Sequence, residues 1–189
     1  MTQAAAAAFL MLVLLFGGPW VTVQSTGAPE PQPARTAQEQ TDAPGADESS
    51  VLRVWNGTET VEMTMAAYLP GVVRGEMPAT FEEEALKAQA VAERTYIYYH
   101  LQRGGKANHP DADVCMDHTC CNAWTGAEQA AQKWGEQAEA YEAKIQEAVR
   151  ATDGQVMLYN GQLILAAFHS SSDGVTASCR DVWVQDLPY

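Results

Sequence analysis

The alternation of apolar and polar positions divides the chain into three stretches. From Ala4 to Val23 no charged side chain interrupts the run AAAAAFLMLVLLFGGPWVTV, about the 20 residues that a membrane-crossing helix needs. The run is long for the core of a signal peptide and no A-x-A site ends it cleanly, so residues 1–23 favour a retained transmembrane anchor over a cleaved signal segment. Residues 24–50 are rich in Pro, Ala, Gln, Thr, Ser and acids and contain no aromatic residue. With almost nothing to bury, they read as a disordered tether. The folded part is then residues 51–189.

Within that part the periodicity changes from element to element. Val51–Trp55 and Thr60–Met65 read as short strands around Asn56-Gly57, a hairpin signal. Met65–Val73 (MAAYLPGVV) is apolar and short, and Pro70 is expected to interrupt it. Pro78 followed by Thr80-Phe-Glu-Glu83, a capping box, predicts a helix from about Phe81 to Gln102, stopped by Gly104-Gly105. A second helix is expected from about Lys144, or earlier, to Thr152, with 126–141 as its extension. Val156–Tyr159 and Gln162–Phe168 flank Asn160-Gly161, the strongest hairpin signal in the chain. LILAAF does not alternate, so that strand is expected to be covered on both faces. Together these predict an α+β fold of mixed helices and β-hairpins. The segment Asp181–Tyr189 is apolar and stops without a polar taper, so a longer parent chain is expected.

Charge narrows the partners. The formal net charge is −13 and the sequence pI about 4.5. Such a surface is repelled by nucleic-acid phosphate, which argues against nucleic-acid binding.

Four groups of side chains could carry chemistry. Glu76 lies between Gly75 and Met77-Pro78 ahead of the predicted helix; desolvation of a carboxyl so flanked suits general-acid work, although spacing alone favours a surface turn. Lys87 and Arg94 are seven apart, about 10.5 Å along one helix face, with Tyr96 following; they form either a substrate-binding stripe or a solvated face paired to Glu83 and Glu93. His109, Cys115, His118, Cys120 and Cys121 fall in one loop, where tetrahedral zinc and a disulfide from Cys115 to Cys120 or Cys121 both remain open. His169-Ser170-Ser171-Ser172 lacks the G-x-S-x-G elbow; it reads as a polar loop lining a substrate groove or as a hydrogen-bonded turn.

Taken in order, these motifs are more specific than any one alone. GVVRGEMPATFEEEALKAQAVAERTYIYYH, then ADVCMDHTCCNAW, AVRATDGQVMLYNGQLILAAFHSSS and DVWVQDLPY resemble the stage II sporulation protein D family, the SpoIID/LytB type. The resemblance implies a peptidoglycan lytic transglycosylase that cleaves the β-1,4 bond between N-acetylmuramic acid and N-acetylglucosamine on denuded strands during engulfment. It implies Glu76 as the catalytic acid–base, with no second carboxyl required. Lys87, Arg94, Tyr96, His169, Ser170 and Ser171 would contact substrate. A structural zinc would be held by His109, Cys115 and Cys121, with Cys120 and His118 as alternatives. The implied partners are peptidoglycan strands and the stage II sporulation proteins P, an amidase, and M. The implied location is the cell membrane, with the domain outside the cytoplasm. The same family contains non-catalytic amidase enhancers of the LytB type, which is the alternative.

Overall fold

The Asn56-Gly57 hairpin forms. In the computed structural model, which describes residues 45–105, 108–109, 111–183 and 186–189, strands β1 (Val51–Trp55) and β2 (Thr60–Thr64) pair antiparallel from Val51↔Thr64 to Trp55↔Thr60. The turn is wider than a two-residue Asn-Gly turn. Asn56 Oδ1 accepts from the N–H groups of Thr58 (2.9 Å) and Glu59 (3.0 Å), and Gly57 takes φ +99°. β1 is the middle strand, because Val114–Cys115 (β3) adds in parallel on its other side, Val54 opposite Val114. Leu52 and Val54 alternate inward, as period 2 requires.

Three helices close over that inner face. The first long one, α2 (Met65–Glu76), runs straight through Pro70, against expectation. A proline one turn into a helix costs the donor of one hydrogen bond, and here Met65, Tyr68, Leu69, Val72 and Val73 are all fully buried. Five such side chains, at about 1.5–3 kcal/mol each, outweigh the penalty. Helix α3 (Glu83–Leu101) begins two residues later than predicted, with Glu82 at its N-cap and no side-chain cap. Thr80 is left in a preceding turn closed by Phe81 N–H on Pro78 O (3.0 Å). Glu83 and Glu84 in the first turn suit the helix dipole instead. Gly104 (φ +87°) and Gly105 (φ +80°) stop the helix as expected.

The Ala/Glu/Gln-rich stretch is helical in two pieces, α4 (Ala127–Trp134) and α5 (Ala138–Ala151), joined by a 3₁₀ turn at Gly135–Gln137 where Gly135 has φ +56°. Ile145, Ala148 and Val149 of α5 complete the core with α2 and α3. Asn160 (φ 49°) and Gly161 (φ 76°) make the expected tight turn between β4 (Leu158–Tyr159) and β5 (Gln162–Leu163). The strand expected to reach Phe168 ends at Leu163, and among the described residues only Ala166 beyond it is buried. An apolar run names no pairing partner, and a hairpin this short does not propagate alone. A last helix, α6, covers Cys179–Trp183.

The domain begins before Val51. A short helix, α1 (Ala46–Ser49), lies inside the stretch expected to be a tether, with Asp153 accepting from the N–H groups of Ala46 and Asp47 (2.8 Å each). Asp47 is buried against Arg94, so residues 46–49 pack with the folded part. Hydropathy could not see it, because this segment is buried through a charge pair. The anchor expected over residues 1–23 and the tether up to residue 44 lie outside the described residues. Among the described residues no helix is long and apolar enough to cross a membrane.

Candidate functional site

Glu76 is the last residue of α2, and its position follows from what lies against that helix. The loop 122–125 crosses it closely. A Cβ on Gly71 would stand 2.1 Å from Trp124 Nε1, and one on Gly75 would stand 2.4 Å from Ala123 O. The two glycines, one turn apart, give the loop room to bond to the helix. Trp124 Nε1 donates to Tyr68 O (3.1 Å) and Thr125 N–H to Gly71 O (2.9 Å). The Arg74 guanidinium donates to Thr125 O (3.1 Å) and clamps Glu142 of α5 in a two-pronged ion pair (2.7 and 2.8 Å). That pairing holds the half-buried Glu142 carboxyl below its ordinary range. The result is that Ala123 N–H donates to Glu76 Oε1 at 2.6 Å.

The half-buried Glu76 faces a cavity of about 380 Å³. Tyr96, His100, Cys121 and Asn122 form its polar side, and Leu165–Phe168 its other wall. The Tyr96 and His100 rings meet edge to face, 4.4 Å between centroids. A carboxyl fixed by one N–H against a partly apolar wall can give a proton to a bound oxygen and take one back.

A second carboxyl stands nearby. Glu93 of α3 has no solvent exposure; Gln89 Nε2 donates to its Oε1 at 2.6 Å, and the Asn122 amide donates to its Oε2. Burial pushes its pKa up to about 8, and the charge of Glu76 pushes the same way, against the two amide hydrogen bonds. The Tyr68 phenol, also driven up by burial, donates to Cys115 O (2.8 Å). A reaction run by one carboxyl does not need this second acid, which burial keeps out of solvent. Its signal was in the sequence: Leu86, Ala90, Glu93 and Ile97 share helical spacing, which puts an acid on the core face.

Of the residues expected to contact substrate, Tyr96 joins Glu76 at the cavity. Arg94 does not project as a substrate stripe. It is fully buried, bonded to Asp47 (2.6–3.0 Å) and to the carbonyls of Gln155 (3.1 Å) and Val149 (3.3 Å), so it ties α1, α3 and α5 together. Lys87 pairs with Glu83 and Glu84 (2.7 and 2.8 Å), which raises its pKa, and lines a separate pocket with Val91 and Thr152. Helical geometry put the two on one face, but that face turns from solvent to core along α3. His169 and Ser171 line a neighbouring cavity of about 690 Å³ that shares Leu165–Phe168. His169 Nδ1 donates to Ser171 O within its own turn (3.0 Å), and Ser170 is exposed and lines neither space.

The cysteine loop gathers a donor cluster. Ligand atoms of His109, Cys115 and Cys120 lie within 4.8 Å of one another, and all four cysteines are free thiols. His109 stacks on Trp55 (5.5 Å, 18°), which fixes its ring. Cys120, rather than Cys121, thus completes the trio. Cys121 Sγ sits 4.0 Å from Cys120 Sγ, accepts from Cys115 N–H (3.3 Å), and has its pKa pushed well up by burial. His118 points out to solvent, 3.9 Å from Asp117. Tetrahedral zinc with sulfur at about 2.3 Å holds its donors roughly 3.5–3.8 Å apart. The trio stands wider than that spacing at up to 4.8 Å, with Cys121 Sγ beside Cys120 and outside the trio.

Several known proteins are similar to this chain. The family model described as stage II sporulation protein, SpoIID, matches residues 56–159, more than half of the chain. Stage II sporulation protein D of Bacillus subtilis (strain 168) is 37% identical over 122 residues, 65% of this chain and 36% of its own length. The counterpart from Bacillus amyloliquefaciens is 36% identical over 123 residues, with the same coverage. The amidase enhancer of Bacillus subtilis (strain 168) is 37% identical over 121 residues, 64% of this chain and 14% of its own. The match thus spans little more than a third of the length of the two sporulation proteins. With the SpoIID model matched from the hairpin of β1 and β2 to β4, across Glu76 and the cysteine loop, the chain belongs to the SpoIID stage II sporulation protein family.

Proposed function

We propose that this domain works on the cell wall during sporulation, as a lytic transglycosylase that cuts denuded peptidoglycan strands at the N-acetylmuramic acid–N-acetylglucosamine β-1,4 bond. The observation that carries the reading is Glu76, held by Ala123 N–H at the mouth of a partly apolar cavity. A hydrolase that adds water needs two working carboxyls. Here the C6 hydroxyl of the muramoyl sugar attacks its own C1, and the bond from C1 to the leaving oxygen breaks. Glu76 gives its proton to that oxygen and takes the proton of the attacking hydroxyl, so one carboxyl closes the cycle and leaves a 1,6-anhydro end. Tyr96 and His100 line the sugar's path, and the Leu165–Phe168 wall suits the apolar face of a pyranose. The His109, Cys115 and Cys120 trio would hold zinc as a tie between β3 and the loop, supplying no chemistry to the cut. The apolar run Ala4–Val23 would tether the domain to the outer face of the membrane, beside the amidase P and protein M.

The test is incubation of the chain with denuded glycan strands and mass analysis of the ends. Anhydromuramic products are expected, with a loss of at least 100-fold in Glu76→Gln; equal activity from that variant sinks the assignment. The 37% identity to an amidase enhancer favours one second reading, a glycan-gripping activator of an amidase. Stimulation of an amidase that survives Glu76→Gln, without anhydro products, would select it.

A further inference from the structure

Glu93 is a cost that the core does not require. An acid at that helical position among Leu86, Ala90 and Ile97 gives up hydration that a small apolar residue would not. What it gains is two amide partners, and they belong to different parts of the fold. Gln89 lies on the same helix, one turn away. Asn122 lies on the loop that crosses α2, and it lines the cavity. The residue after Asn122 is the one whose N–H holds Glu76.

We infer that Glu93 is a positioning residue for Glu76 and acts through the loop: its carboxyl pins the Asn122 side chain, and the Ala123 N–H that follows fixes Glu76 Oε1. This rests on the reading of Glu76 as the reacting carboxyl. The chain of contacts runs from α3 through the loop to the end of α2, so it links three segments in series. The groups facing Glu93 are Gln89 from its own helix, Asn122 from the loop, and Glu76 and Tyr68 from α2. Two of these are acids of like sign when ionised, and an uncharged Glu93 avoids a second negative charge beside Glu76. Protonated, it donates to Asn122 Oδ1 with the amide turned over, so the pin survives in that state.

The experiment follows the Ala123 amide by NMR in the ¹⁵N-labelled chain, beside steady-state kinetics on denuded strands. In Glu93→Ala the Ala123 resonance is expected to move upfield and its exchange with solvent to quicken. kcat falls roughly tenfold or more, because the reacting carboxyl is no longer held in line. KM stays within about twofold, since no substrate contact is removed. Glu93→Gln, neutral and of the same shape, restores most of both readouts. Asn122→Ala should reproduce the amide change, and serves in place of Glu93→Ala should that variant fail to fold. An Ala123 amide unmoved by either alanine variant overturns the positioning role. An amide that moves as expected, in a chain that makes no anhydro product, upholds the positioning and overturns the transglycosylase reading instead.

Discussion

A methyl group at Gly75 would favour α2 by about 1 kcal/mol if the helix stood alone. It does not: the added carbon would lie 2.4 Å from the backbone oxygen of Ala123, which cannot swing aside as a side-chain tip could. Overpacking of this kind costs about 1–3 kcal/mol, so the contact outweighs the propensity. Gly75→Ala is expected to lower stability in a urea melt by about 1 kcal/mol and to reduce the proposed glycan cleavage as well, because the atom displaced belongs to the residue that holds Glu76. A Gly75→Ala protein at least as stable as the parent would mean the loop does not sit where it is described. Asp47 makes the second residue-scale case. Asp47→Asn removes the counter-charge of a guanidinium with no solvent exposure and should cost about 3 kcal/mol, read from the urea midpoint. Pairing it with Arg94→Met, which removes the stranded charge, should recover part of that loss.

Elements show where local signals sufficed. Both Asn-Gly hairpins and the long helix with its Gly-Gly stop stand where the sequence put them, because turn residues and helix stops act over a few positions. The capping box did not act. Thr80 sits in a turn ahead of α3 and Glu82 is the N-cap, so Thr80→Ala is expected to change stability by less than about 0.5 kcal/mol, where loss of a working cap costs about 1. A cap-sized loss in a thermal melt would place the helix start two residues earlier. The features of the site that the sequence withheld are all long-range. The parallel pairing of Trp55 with Cys115, the Ala123 contact to Glu76 and the Asp47–Arg94 pair each join residues far apart in the chain. No local period encodes such partners. The ordered motifs singled out Glu76 and Tyr96, and the fold brings these two to one cavity. Arg94 was misplaced because a charge is read as exposed until its partner is known.

For the whole described domain, the buried acid makes stability depend on pH in a definite direction. Glu93 has a pKa of about 8 in the fold, against the ordinary 4.5 of an exposed glutamate. Between these values the unfolded chain has lost this proton and the folded one keeps it, so the unfolded state binds fewer protons and stability falls as pH rises. The group contributes a slope of up to about 1.4 kcal/mol per pH unit within that window. Glu142 and Asp113 work the other way. Arg74 and Arg53 hold their carboxyls below the ordinary range, so their contribution is present at neutral pH and is lost as the solution becomes acid. The net charge of −13 adds self-repulsion on the alkaline side, in the same direction as Glu93. Stability should therefore peak on the mildly acid side of neutral and decline toward pH 8. Urea midpoints taken from about pH 3 to pH 9 on the parent chain and on Glu93→Gln separate the two alkaline causes. Self-repulsion is common to both proteins, whereas the proton held by Glu93 is not. The variant should lose most of the decline between pH 5 and pH 8 and keep its fall on the acid side; parallel curves for the two proteins would show that Glu93 carries no proton into neutral solution.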